Sequence, residues 1–199
     1  MQRNVLEYLE ETVKRVPDKI AFANDKTQLT FQQFSDDIRA IGSELIRKGY
    51  QKEPVLIYMN KSPEALEGFF GVIESGCFYV PLDEEMPKRR IELIIENTKA
   101  RVIVCDQENL KRVKELPFDG EIMLHEELAK KREDKEKLDK VRRTALDTDP
   151  LYVLFTSGST GMPKGVVGHH RGVIDYIDQL SAVLDFDEEL GTIVLEDLG

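Results

Sequence analysis

The sequence predicts an α/β domain with a mainly parallel sheet flanked by helices. Three observations predict it. Short runs such as "PVLIYM", "RVIVCD" and "LYVLF" are apolar throughout, as strands covered on both faces are. Between them lie longer segments whose apolar residues recur at helical spacing. The two kinds of segment alternate, which demands crossover connections and parallel pairing. At 199 residues the chain holds enough surface to bury for one domain, expected over 1–199.

The elements follow in order. In "NVLEYLEETVKRVPDK", Leu6, Leu9 and Val13 share one helical face and Pro17 ends the helix. "KIAFAN" and "TQLTF" read as a small hairpin. "TFQQFSDDIRAIGSELIRKGY" is a helix with Thr30 and Gln33 as a capping box, an apolar stripe of Phe34, Ile38, Ile41 and Leu45, and Gly49 as its stop. "PVLIYM" is a buried strand. "SPEALEGFFGVIESG" is a helix capped by Ser62, with Pro63 in the first turn and Leu66, Phe69, Phe70 and Ile73 as the expected inner stripe. "CFYVPL" is a strand, "PKRRIELIIENTK" a helix opened by Pro87, and "RVIVCD" a strand. Residues 130–143, "KKREDKEKLDKVRR", read as a solvated helix or loop carrying i, i+4 ion pairs, with a docking segment as the other reading.

Composition narrows the function classes. Hydrophobic residues make up 41% and charged residues 33%, ordinary for a globular protein, and no apolar run reaches the roughly 20 residues of a membrane span. A net charge of −10 disfavours nucleic acid and anionic membrane as partners. The opening residues carry charge and lack the apolar core of a signal peptide. Cys77 and Cys105 sit in apolar surroundings and are expected to be buried free thiols, which fits a cytoplasmic location.

One stretch carries chemistry. "LYVLFTSGSTGMPKGVVGHHRGVIDY", 151–176, holds five glycines, and from Leu151 to Ile174 it has no acid, only Lys164 and Arg171. "TSGSTGMPKG" suits no regular element, and helical periodicity resumes through Val173, Ile177, Leu180 and Leu184. The expected layout is therefore strand, glycine-rich loop, helix, with the loop at the carboxyl end of its strand where open α/β sheets bind ligands. Glycines let backbone N–H groups converge on an anion. Thr156, Ser157, Ser159 and Thr160 add hydroxyl donors, and Lys164 adds a mobile charge. Such a loop is expected to be mobile and solvent-accessible. It is not a Walker A loop: counted from Gly158, the second glycine position holds Pro163, and Gly165 follows Lys164 where a hydroxyl should hold Mg²⁺. His169 and His170 follow the loop, but with only His125 elsewhere they lack the partners of a metal site, and none is expected.

"YVLFTSGSTGMPKGV" resembles the phosphate-loop signature of the adenylate-forming superfamily, which includes acyl-CoA synthetases, luciferases and the adenylation domains of nonribosomal peptide synthetases. "GCFYVPLDEEMPKRRIELIIENTKARVIV" is similar to the upstream stretch of amino-acid adenylation domains and D-alanine–carrier protein ligases. The opening "VPDKIAF…LTFQQFSDDIRAIGSELIRKGY" fits their N-terminal portion. The likeness covers about residues 1–186, leaves the tail 187–199 unassigned, and leans toward amino-acid activation through "FYVPLD". It implies a carboxylate attacking the α-phosphorus of ATP, brought with Mg²⁺, to give an acyl-adenylate later captured by a carrier-protein phosphopantetheine thiol. It also implies that Thr156, Ser157, Gly158, Ser159, Thr160, Gly161 and Lys164 wrap the β- and γ-phosphates, Lys164 stabilising charge as pyrophosphate departs. His170 and Arg171 match a histidine-arginine pair that begins the family's next helix, implying helix entry or loop anchoring.

Other parts of the family pattern are missing: the acyl pocket, a "GYGPTE"-like adenine segment, the acidic ribose-binding residue and a C-terminal domain with a catalytic lysine. The expectation is an incomplete N-terminal domain of the adenylate-forming fold: a ligase fragment retaining the phosphate loop, inactive alone and prone to self-association. The alternative is a non-catalytic module that binds nucleotide, polyphosphate or a partner protein.

Overall fold

The computed structural model describes residues 2–156 and 162–183. Helix α1 (Leu6–Arg15) leads into a hairpin of β1 (Ile20–Ala23) and β2 (Gln28–Thr30). Helix α2 (Phe31–Arg47) follows without a break. Its capping box forms as the sequence predicts: Thr30 Oγ1 accepts from the Gln33 amide at 3.1 Å, and Gln33 Oε1 accepts from the Thr30 amide at 2.9 Å. Gly49, with φ +85°, stops the helix.

Strands β3 (Pro54–Tyr58), β4 (Phe78–Leu82), β5 (Val102–Cys105), β6 (Glu121–Leu124) and β7 (Pro150–Thr156) then alternate with helices α3 (Pro63–Glu74), α4 (Lys88–Thr98), α5 (Leu110–Lys114), α6 (His125–Leu128) and α7 (Lys135–Thr144). The strands order as β6-β5-β3-β4-β7 in parallel. An antiparallel edge strand, β8 (Lys164–His169), joins β7 and leads to α8 (His170–Val183).

The strands alternate their side chains between two packed layers. Val55, Ile57, Val102 and Val104 face Ile41, Leu45, Ala65 and Val72 of α2 and α3. Leu56, Tyr58, Ile103 and Cys105 face Ile91, Ile94, Ile95 and Val113 of α4 and α5. A third cluster joins Leu6, Phe34, Ile38, Ile73, Leu151 and Ile174, tying α1 and α8 to the start of β7. Cys77 and Cys105 are buried and unbridged, and burial pushes both thiols up, Cys105 to about 12.

Three sequence expectations change. The stripe expected on α3 is only half-buried at Leu66, Phe69 and Phe70, which pack as flanks: Phe69 stacks on Tyr79 at 4.5 Å and Phe70 meets Phe34 edge-on at 5.3 Å. Where α3 crosses α2 the helices approach so closely that glycines are needed at the contact. A Cβ added to Gly71 would lie 2.5 Å from Ile41 Cγ2, and one on Gly42 would lie 2.6 Å from Glu74 Cβ. The charged tract is not merely solvated. It forms α7, buries Leu138, and sends Arg142 to Glu74 and Glu10 at 3.2 Å each. The third change is β8, which lies at the candidate site.

Candidate phosphate-binding site

The loop leaves the carboxyl end of β7, the last of the parallel strands among the described residues, as the sequence predicts. It does not run straight into a helix. "KGVVGH" returns as β8, because adjacent Val166 and Val167 favour an extended chain and the flanking glycines allow close pairing. Gly165 opposes Phe155 and Gly168 opposes Tyr152. A Cβ on Gly165 would lie 2.8 Å from Val153 Cγ1, and one on Gly168 would collide with the Tyr152 ring. These two glycines therefore serve strand packing, not phosphate. Gly172 has open space where a Cβ would stand.

The return strand sets the geometry of the site. Thr156 and Lys164 are direct cross-strand partners, with Thr156 Oγ1 donating to the Lys164 carbonyl at 3.5 Å. Both are exposed. A hydroxyl and an ammonium group thus flank the two ends of the glycine-rich segment. Met162 is exposed and Pro163 buried, so the segment has an apolar anchor just before Lys164 that the sequence reading did not assign. Ser157, Gly158, Ser159, Thr160 and Gly161 lie outside the described residues.

Sequence reasoning missed one cation. Arg90, in the first turn of α4, donates from Nη2 to the carbonyl of Phe155 at 2.8 Å, one residue before Thr156. The signal was present in "PKRRIEL": Lys88, Arg89 and Arg90 fill the first turn of a helix, where the macrodipole disfavours cations.

The residues after the loop anchor the chain. His170 is buried, and its Nδ1 accepts from the Val5 amide at 3.3 Å. Burial lowers its pKa to about 4, which keeps the ring neutral and able to accept. Arg171 pairs with Asp147 at 2.6 Å, and His169 Nδ1 meets the Thr148 carbonyl at 2.8 Å. His170 and Arg171 thus serve helix entry. A concavity of about 280 Å³ lined by Tyr152, Gly168, His169, Gly172, Val173 and Tyr176 lies toward the opposite end of β7 from Thr156.

Two other polar groupings occupy the fold. At the carboxyl ends of β3 and β5, Asp106 accepts from the Asn60 and Asn109 amides, while Asn109 Nδ2 donates to Asn60 Oδ1 at 2.7 Å. Beyond β6, buried His125 meets buried Glu67. Four strand spacings separate β6 from β7, about 19 Å, so His125 is remote from Lys164. Among the described residues no group of three His, Cys, Asp or Glu could hold a metal ion, and no helix is long and apolar enough to cross a membrane.

Comparison with known proteins adds sequence and fold relationships. Residues 9–195 match the family model described as AMP-binding enzyme. The chain is 31% identical over 188 residues to a mycosubtilin synthase polypeptide of Bacillus subtilis, an alignment spanning 94% of this chain and 7% of that protein. The fold matches the crystal structure of VinN with TM-score 0.77 at 20% identity, over 94% of this chain and 51% of that one. It also matches the Klebsiella oxytoca NpsA N-terminal subdomain in complex with 3-hydroxybenzoyl-AMSN, with TM-score 0.69 at 23% identity, over 86% of this chain and 42% of that one.

Proposed function

This chain belongs to the AMP-binding enzyme family, and on that footing we propose that it supplies the triphosphate-binding part of an ATP-dependent ligase that activates an amino acid as its adenylate. The fold is that of the N-terminal subdomains of adenylate-forming enzymes. The observation that carries the proposal is the pairing of Thr156 with Lys164 at the carboxyl end of the last parallel strand.

In the proposed reaction an amino-acid carboxylate attacks the α-phosphorus of ATP, and pyrophosphate leaves with Mg²⁺. Charge grows on the departing oxygens, so fixed donors and a cation there stabilise the transition state more than the ground state. Lys164 would supply the cation, and Thr156, Ser157, Ser159 and Thr160 the hydroxyl donors, with the amides of Gly158 and Gly161 beside them. The adenylate would then pass to the phosphopantetheine thiol of a carrier protein. We place this chemistry in the cytoplasm, where ATP is available and the Cys77 and Cys105 thiols stay reduced.

The chain spans about half of VinN and under a tenth of the mycosubtilin synthase polypeptide. We therefore assign it binding of the leaving group, and assign adenine, ribose and amino-acid recognition to other parts of a complete adenylating enzyme. Calorimetric titration with MgATP tests the reading. Lys164→Ala should weaken binding about 10- to 100-fold, as loss of a charge-assisted contact does. Equal affinity for the two chains would remove the phosphate assignment.

A further inference from the structure

We propose that Arg90 is a positioning residue for the triphosphate, acting through the carbonyl of Phe155; this rests on the phosphate-binding reading above. Arg90 Nη2 donates to Phe155 O at 2.8 Å. That carbonyl belongs to the peptide that delivers Thr156, and Thr156 is the cross-strand partner of Lys164. One guanidinium thus fixes the peptide from which the glycine-rich segment departs, and fixes it relative to the only lysine in the stretch 151–176.

Three features separate this contact from an ordinary surface arginine. First, it joins two distant parts of the chain: α4, which follows β4, and the end of β7. Second, Arg90 makes no ion pair among the described residues, although its neighbour Arg89 pairs with Glu92 at 3.3 Å. Its charge is not cancelled locally. With no carboxylate competing for it, the guanidinium gives its charge to the bond with the Phe155 carbonyl, which a charged donor strengthens. Third, its position is electrostatically unfavourable for the helix. Lys88, Arg89 and Arg90 crowd the positive end of the α4 dipole with no acid in the first turn, and a nearby polyphosphate would relieve that repulsion.

Phe155 itself is held from the other side. Its side chain packs against the apolar layer that includes Val153 and the buried face of α4, so the ring is held by the core while the carbonyl is held by Arg90. Loss of the Arg90 contact would leave Phe155 packed while freeing the peptide next to Thr156. The defect would then fall on the loop and not on the core.

The test uses the full chain titrated with MgATP and magnesium pyrophosphate, as native protein, Arg90→Ala, Arg90→Lys and Lys164→Ala, with thermal melts alongside. The expected result is a loss of about tenfold in affinity for both ligands in Arg90→Ala. Arg90→Lys, which keeps a cation and a donor, should recover much of the loss, and melting temperatures should stay together. If Lys164→Ala weakens binding and Arg90→Ala does not, the Arg90 assignment falls and the phosphate site stands. If Arg90→Ala melts well below the native chain, the contact is structural and the proposal is overturned. If the native chain binds neither MgATP nor pyrophosphate, both assignments fall.

Discussion

The Nε2 atom of His125 lies 2.8 Å from Oε2 of Glu67, and the two side chains are only 4% and 3% exposed. The pair links α6 to α3 across the top of the sheet. Asp37, on α2, faces the same carboxylate. A half-buried carboxyl, a buried carboxyl and a buried imidazole thus sit together, and Glu67 Oε1 has no hydrogen-bond partner among the described residues. Removing one member of a buried pair leaves the other desolvated. His125→Ala should destabilise the fold by about 3–5 kcal/mol in urea unfolding at neutral pH.

Burial first, and then the charge of Glu67, push Asp37 up to about 7 from its ordinary 3.8, against an opposing effect of His125 and a small added one of Asp36. The folded chain therefore holds a proton that the unfolded chain releases above pH 4. That contribution is full below pH 3.8 and is lost as pH rises toward 7. His170 acts in the opposite sense: its folded value near 4 is depressed from 6.5, so its contribution is lost as pH falls from 6.5 to 4. Replacing Asp37 by Asn should raise the melting temperature relative to the native chain progressively from pH 4 to 7 and hold that gain above pH 7. A difference between the two chains that does not vary with pH would contradict this.

Arg142 reaches both oxygens of buried Glu74 at 3.2 Å. Burial still raises the Glu74 pKa despite Arg142 and Arg39. Arg142→Ala should cost about 3–5 kcal/mol at neutral pH by stranding the carboxylate. Much of that should return in the double variant with Glu74→Gln, as a double-mutant cycle in guanidinium would read.

Gly71→Ala should destabilise by about 1–3 kcal/mol, because α2 and α3 must part to admit a methyl group 2.5 Å from Ile41. Ile41→Val in the same chain should recover little of the loss in thermal unfolding, because valine keeps the Cβ and Cγ2 atoms that the new methyl group meets.

The purified chain should show no amino-acid-dependent ATP–pyrophosphate exchange with any common amino acid. Holding carboxylate and α-phosphorus in line can contribute about 7–11 kcal/mol to such a reaction, and the proposed phosphate site would orient the leaving group alone. Leu154 and Val166, 45% and 55% exposed and cross-strand partners beside the sheet edge, should also drive oligomers visible by light scattering. Exchange with any one amino acid would make the chain a working enzyme.

Much of the fold was legible because its signals are local. Thr30 and Gln33 cap α2 within four residues of each other, and Val55 to Tyr58 announce a doubly covered strand by composition alone. What escaped depends on distant partners. Glu67 reads as an outward-facing acid on α3 until α6 brings His125 over it, more than fifty positions later. Arg142 reads as one charge among many until Glu74 is found beneath it. In the glycine-rich stretch, Thr156 and Lys164 stand out in the sequence as a hydroxyl donor and a lone lysine. Their pairing does not, because Val166 and Val167 offer too short a run to declare a strand against the helical period that follows.

The β7–β8 ladder has one further effect, on chain entropy. By fixing Thr156 opposite Lys164, it brings together the two ends of the stretch of chain between them. The cost of that closure is met when the sheet forms. Closure cost grows slowly, by about 0.6 kcal/mol for each doubling of length. Residues inserted between Thr156 and Met162 should therefore leave the melting temperature nearly unchanged, so length there can vary while β7 and β8 answer for the fold.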